Sequence, residues 1–131
     1  MRSLHVPLEE TIDMFVNRAF KNNWFNETHN LNIQRHQLTK LLEISTMNQL
    51  FQFNGHLYEQ VDGVAMGSPF GPLIANTFMC HLESKLTLQD KFPTLHRRYV
   101  DDTLVIMPDV DTAKEFVDTL NGLHESLHFT M

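Results

Sequence analysis

The chain has 131 residues, room for about one domain of the usual ~100–200 residues. It is 42% apolar and 20% charged, a globular composition that excludes a disordered tail, a collagen and a coiled-coil rod. Ten Lys and Arg stand against 16 Asp and Glu, a net charge of −6, so charge alone argues against a basic nucleic-acid-binding surface.

No apolar run approaches the ~20 residues of a membrane span, and the start of the chain lacks a signal-peptide core, so no membrane partner is expected. The single cysteine, Cys80, excludes an internal disulfide and a Cys-based zinc cluster. An intracellular chain is the expectation. The eight histidines show no zinc-ligand spacing and read as scattered surface residues. Asn26-Glu27-Thr28 is a formal glycosylation sequon, without meaning unless the chain is secreted.

In chain order, Pro7-Leu8-Glu9-Glu10-Thr11 opens a first helix, with proline at its start and two glutamates at the positive end of the dipole. Leu8, Ile12, Phe15, Val16, Ala19 and Phe20 form its apolar stripe. Residues 21–32 are polar and Asn-rich and read as a loop. Within it, Trp24 and Phe25 read either as an anchor or as exposed surface. A second helix follows over 34–48, with Leu38, Leu41, Leu42 and Ser45 inward. Residues 50–53 and 57–61 read as strands joined at Asn54-Gly55, whose residues tolerate positive φ. A glycine-rich stretch, Gly63 to Pro72, leads into a third helix ending at Leu88, apolar over a wide arc. Ser68 is a candidate cap for it, with Gly71 as the alternative boundary. Residues 97–100 and 103–107 read as strands flanking Asp101-Asp102. Thr112 to Glu115 reads as a capping box for a fourth helix, with Ala113, Phe116, Val117, Leu120 and Leu123 inward. The chain closes on a strand-like stretch, 127–131. This order predicts an α+β domain, helices packed on one face of an antiparallel sheet.

Two segments carry candidate chemistry. Asp101-Asp102 reads either as an ordinary hairpin turn, where aspartates are common, or as a pair of carboxylates projected from a rigid sheet toward a hard cation such as Mg2+. The glycine-rich stretch reads either as a strand-to-helix connector or as a backbone that closely approaches a base pair or phosphate, with free N–H groups of the helix start beside it. Arg97-Arg98 reads as a phosphate contact or as a solvated strand end.

Together, Gly63-Val-Ala-Met-Gly-Ser-Pro-Phe-Gly-Pro-Leu-Ile-Ala-Asn76 and Tyr99-Val-Asp-Asp102 resemble the reverse transcriptases of Penelope-like retroelements. Val6-Pro-Leu-Glu-Glu-Thr-Ile12 looks like the stretch after their first catalytic motif, and 120–131 is similar to the segment entering their next palm motif. The resemblance spans essentially the whole chain in the right order. It implies that residues 1–131 are a partial palm of a polymerase, from just after the first catalytic motif to just before the primer grip, with fingers and thumb missing. The implied activity is RNA-templated DNA synthesis by two-metal phosphoryl transfer, with Mg2+ as cofactor and Mn2+ as a substitute. The implied partners are an RNA template, a DNA primer and a dNTP, and the parent element would act in the nucleus. Asp101 and Asp102 match the metal-binding catalytic carboxylates. Tyr99 and Val100 match positions beneath the primer end. Gly67, Ser68 and Pro69 match the loop lining the nascent base pair.

The family carries a further metal-binding aspartate upstream of the position of Ser3-Leu4, for which Met1-Arg2 leave no room, and the join Ser3-Leu4-His5-Val6 is shorter than usual. The 131 residues alone are therefore expected to be inactive or nearly so. The alternatives are a decayed or domesticated, non-catalytic palm serving as an interaction module, and an unrelated α+β binding protein. The charge is also uneven. Residues 1–98 hold nine acids and nine bases, whereas residues 99–131 hold seven acids against Lys114 alone.

Overall fold

The computed structural model describes residues 6–61, 63–65 and 67–131. The expected join at Ser3-Leu4-His5, and Met66 of the glycine-rich stretch, lie outside the described residues. The fold is α+β, as expected, with five α-helices and two antiparallel hairpins among the described residues. It divides into two compact units, Val6–Phe78 and Met79–Met131.

In the first unit, α1 (Leu8–Ala19) packs against α3 (Arg35–Thr46). Pro7 stands at the N-cap of α1, one position before the helix. Thr11, Ile12, Val16 and Ala19 are buried, and the Thr11 hydroxyl donates to the Pro7 carbonyl at 2.7 Å. On α3 the buried residues are Leu38, Leu42 and Thr46, whereas Leu41 is 56% exposed. The inward face is therefore rotated from the expected one. Thr46 buries because its hydroxyl donates to the Leu42 carbonyl at 2.7 Å, so no polar group is left unsatisfied. A Gln34–Gln37 capping box starts α3.

The expected loop at 21–32 is instead a short 3-10 turn, Lys21–Asn23, followed by α2 (Trp24–His29). Asparagine tolerates left-handed backbone, and Asn22, Asn23 and Asn30 take φ of 54°, 55° and 50° around the helix. Trp24 is 54% exposed: its ring lies 6.0 Å from His29 in an edge contact, and Phe25 lies 4.9 Å from His29, all within this short helix, so Trp24 is surface. Asn26 donates to the Ile33 carbonyl at 2.9 Å and accepts from the Ile33 N–H at 3.2 Å. The sequon amide is thus engaged within the chain.

The hairpin of β1 (Leu50–Phe53) and β2 (His56–Glu59) forms where expected. Asn54 and Gly55 take φ of 49° and 78°, positive at both central positions as the tightest hairpin turn requires. Phe51 stacks on Tyr58 at 5.6 Å, but every residue of the hairpin is exposed.

Helix α4 (Gly71–Leu88) runs through both units and starts at the glycine boundary. In the second unit β3 (Leu95–Tyr99) pairs with β4 (Asp102–Ile106), His96 opposite Val105 and Arg98 opposite Thr103. These four residues are half-buried, while Arg97, Tyr99, Asp102, Leu104 and Ile106 face outward. The covered face lies on helices: Val105 and Met107 pack on Leu86 of α4 and on Phe116 and Leu120 of α5 (Val110–Asn121). Helix α5 starts two residues before the expected capping box. Its cap is Asp109, whose carboxylate accepts from the Thr112 N–H at 2.7 Å and the Thr112 hydroxyl at 2.8 Å. Those two donors hold the Asp109 carboxyl below its ordinary pKa. Residues 127–131 form no strand. Asn121 takes the place of a partner strand, accepting from the Phe129 N–H at 2.6 Å and donating to its carbonyl at 3.1 Å.

His96 packs edge-on against Phe92 at 4.6 Å. Burial pushes its pKa below the ordinary 6.5; the Glu83 carboxylate opposes this, and Arg98 and Arg97 add to it. The unfolded chain therefore binds a proton at a pH where the folded one does not, so stability falls as the medium is acidified below 6.5. Between about pH 7.5 and about 5.5 the wild-type Tm is expected to fall further than that of His96→Gln. Equal falls in the two proteins contradict this.

Candidate functional site

Tyr99, Val100, Asp101 and Asp102 share one tight turn. Tyr99 pairs with Asp102 across the hairpin, leaving Val100 and Asp101 as the two-residue loop. Both carboxylates and Val100 are exposed, and Tyr99 is 81% exposed. The strand period explains the direction of Tyr99 and Asp102: each stands on the outward face, away from the helix-covered residues Arg98 and Thr103.

Val100 has a φ of 58°. A β-branched residue there meets its own backbone, a cost of about 1–3 kcal/mol that surrounding structure must hold in place. Val100→Gly is expected to raise stability by about 0.5–1 kcal/mol, because the strain relieved exceeds the extra backbone entropy of glycine. Urea denaturation measures it, and a loss of stability contradicts it.

Arg98 is bonded to the turn. Its Nε donates to Glu83 Oε1 at 2.6 Å and its Nη2 to Glu83 Oε2 at 3.3 Å, a two-pronged pair with α4. The same guanidinium donates through Nη1 to the Val100 carbonyl at 3.0 Å and reaches Cys80 Sγ at 3.7 Å. The side chains of Arg98 and Glu83 are only 11% and 22% exposed. Hydrogen bonding to Glu83 raises the Arg98 pKa further, so its charge is permanent. Arg98 is thus neither a phosphate contact nor a solvated strand end. Arg97, on the opposite face, is exposed and donates to the His96 carbonyl at 2.9 Å. The signal was in the strand period: adjacent arginines on a half-covered strand point to opposite faces.

Gly67, Ser68 and Pro69 lie together in the loop before α4, in the first unit. Gly67 takes φ of 92°, and a Cβ there would meet nothing within 4 Å, so the glycine is required by backbone conformation rather than by close packing. Ser68 N–H donates to the Ala65 carbonyl at 3.0 Å, and the Gly71 N–H donates to the Ser68 carbonyl at 3.1 Å. Ser68 Oγ accepts from the Phe70 N–H at 3.3 Å, so Ser68 braces the turn ahead of the helix. Pro69 is exposed between these two turns.

Among the described residues no group of three or more His, Cys, Asp and Glu side chains gathers to hold a metal ion. Two adjacent, exposed carboxylates still fit Mg2+ in donor chemistry, because this hard cation takes one or two protein carboxylates and fills its remaining positions with water and phosphate oxygens. Asp101 and Asp102 would be its protein ligands. No helix among the described residues is long and apolar enough to cross a membrane.

No protein-family model matches the chain, and no solved structure matches it. Two curated proteins do. The telomerase reverse transcriptase of Mus musculus is 35% identical over 63 residues, 48% of this chain and 6% of that protein. The telomerase reverse transcriptase of Rattus norvegicus is 30% identical over 73 residues, 56% of this chain and 6% of that protein. The chain spans about 6% of the length of these curated relatives. These matches support a reverse-transcriptase-like relationship for a chain of α+β fold.

Proposed function

We propose that the chain is the carboxylate-bearing part of a reverse transcriptase palm, of the kind found in Penelope-like retroelements. The observation that carries this reading is the exposed Asp101-Asp102 pair, one in a two-residue turn and one at the strand start beside it, at a turn that an arginine fork ties to a helix. The similarity to two telomerase reverse transcriptases supports the reverse-transcriptase-like part of this reading.

In this reading Asp101 and Asp102 hold Mg2+, or Mn2+ in its place, against the phosphates of a dNTP. When bound, the metal supplies charge neutralisation at the reacting phosphate and acidifies the attacking primer hydroxyl. The chain's own residues supply position. The β3–β4 hairpin presents both carboxylates at one end of a helix-backed sheet. Tyr99 and Val100 offer apolar surface beside them for the primer end. The resemblance gives Gly67, Ser68 and Pro69, in the first unit, the role of lining the nascent base pair in the parent protein. An RNA template and a DNA primer are the macromolecular partners, and the nucleus is the site of action of the parent protein.

Two carboxylates do not complete a two-metal centre, and lacking one charge-stabilising group costs about 10²–10³-fold in rate. The 131-residue chain is therefore expected to give no extension of a DNA primer on an RNA template with dNTPs and either metal. Robust incorporation by the pure chain contradicts this expectation. A second reading, a non-catalytic interaction module, is favoured by one feature: the β1–β2 hairpin exposes Leu50, Phe51, Phe53, Leu57 and Tyr58 together. It predicts that replacing both aspartates by asparagine leaves every activity of the protein intact.

A further inference from the structure

Arg98 joins two things that the strand pairing leaves unconnected. Its Nε and Nη2 grip the Glu83 carboxylate on α4, and its Nη1 grips the carbonyl of Val100, the residue immediately before Asp101. The hairpin alone fixes Tyr99 against Asp102, but the two central residues hang beyond the last pair. One of them, Val100, is in a backbone conformation that a valine leaves readily if nothing holds it. A guanidinium is planar, and its donors point in fixed directions, so gripping a carboxylate with one edge aims the remaining N–H groups. The fork on Glu83 thus aims Nη1 at the Val100 carbonyl, with both side chains mostly shielded from water.

We propose that Arg98 is a positioning residue: through the Glu83 fork it transmits the rigidity of α4 to the Val100–Asp101 turn and sets the direction in which Asp101 and Asp102 present their oxygens. The ordering of the turn stands on the contacts alone. Its service to catalysis rests on the reading of that turn as the metal-bearing element. The placement also separates two jobs in one side chain. The Glu83 contact is an ion pair that any correctly placed opposite charges reproduce. The Val100 contact needs a donor at position 98, which a carboxylate cannot supply.

Backbone 15N relaxation of the whole 131-residue chain tests this in the wild type, in Arg98→Lys and in the charge-exchanged double variant Glu83→Arg with Arg98→Glu. The double variant restores the ion pair and removes the donor to Val100. The expected result is an order parameter at Val100 and Asp101 that falls from about 0.85 to below about 0.6, while β3, β4 and α5 keep wild-type values. Arg98→Lys, with a single point charge and no fork, is expected to fall in between. Wild-type order at the turn in both variants overturns the proposal. A loss spread evenly over β3, β4 and α5 in both variants also overturns it, since Arg98 then serves the fold alone. A turn that loosens as described in a chain that binds no divalent metal at Asp101 and Asp102 leaves the positioning role standing and removes only the functional reading.

Discussion

Leu86→Ala is expected to destabilise the second unit by about 2–5 kcal/mol, because a buried leucine leaves a cavity that its neighbours fill only in part. Leu86 is fully buried on α4, in a cluster with Phe116 and Leu120 of α5. Val105 and Met107, at the end of β4, pack on that cluster, as do Leu123 and Phe129. A two-stranded hairpin is marginal by itself, so β3–β4 depends on this support. A whole domain is stabilised by only about 5–15 kcal/mol, and the loss is a large share of that. Urea denaturation followed by circular dichroism measures it. Leu86→Met, which conserves volume, is expected to cost less than about 1.5 kcal/mol. Equal effects of the two substitutions contradict the placement of Leu86 at the centre of the cluster.

That cluster shows which parts of the fold the residues announce. Asn54-Gly55 announces its hairpin because few residue pairs tolerate positive φ at both positions. The wide apolar arc of α4 announces a buried helix, and Ile74, Phe78, Leu82 and Leu86 are fully or almost fully buried on it. Other parts are decided by single hydrogen bonds that periodicity does not encode. Thr46 is inward at no polar cost because its hydroxyl finds the carbonyl four residues back, while Leu41 stays outward. Asp109 rather than Thr112 caps α5, although the Thr112–Glu115 pattern has the right spacing, because a carboxylate three residues ahead reaches the Thr112 N–H first. Asn26 and Asn121 each bracket a backbone residue seven or eight positions on, doing locally what a paired strand does elsewhere.

The candidate site divides the same way. The Tyr99-Val-Asp-Asp102 turn is legible because two strand-like stretches flank it, and two adjacent carboxylates have no packing reason to be there. Arg98 was legible only by taking the strand period literally, since composition places any arginine at the surface. Its partner Glu83 lies 15 residues earlier on another element, and no local pattern links the two. The acidity that speaks against nucleic acid is likewise local. It is confined to residues 99–131 and begins at the turn whose oxygens are proposed to face a cation.

Loss of either carboxylate is the second large effect. Asp101→Asn and Asp102→Asn each remove one negative charge from an exposed pair and keep the shape of the side chain. Folding stability is expected to change little, since both side chains are exposed. Affinity for a divalent cation in the presence of a dNTP is expected to fall tenfold or more for each, about 1.4 kcal/mol or above. Asp109→Asn, remote from the turn at the start of α5, is expected to leave that affinity unchanged.

The most direct test is NMR line broadening by Mn2+ in the wild-type chain with saturating dNTP, repeated in Asp101→Asn and Asp102→Asn. Broadening that starts at Val100, Asp101, Asp102 and Thr103 and disappears in both variants is the predicted result. Broadening centred elsewhere, or unchanged by both substitutions, contradicts a metal-bearing role for this turn and with it the reverse transcriptase reading of the site.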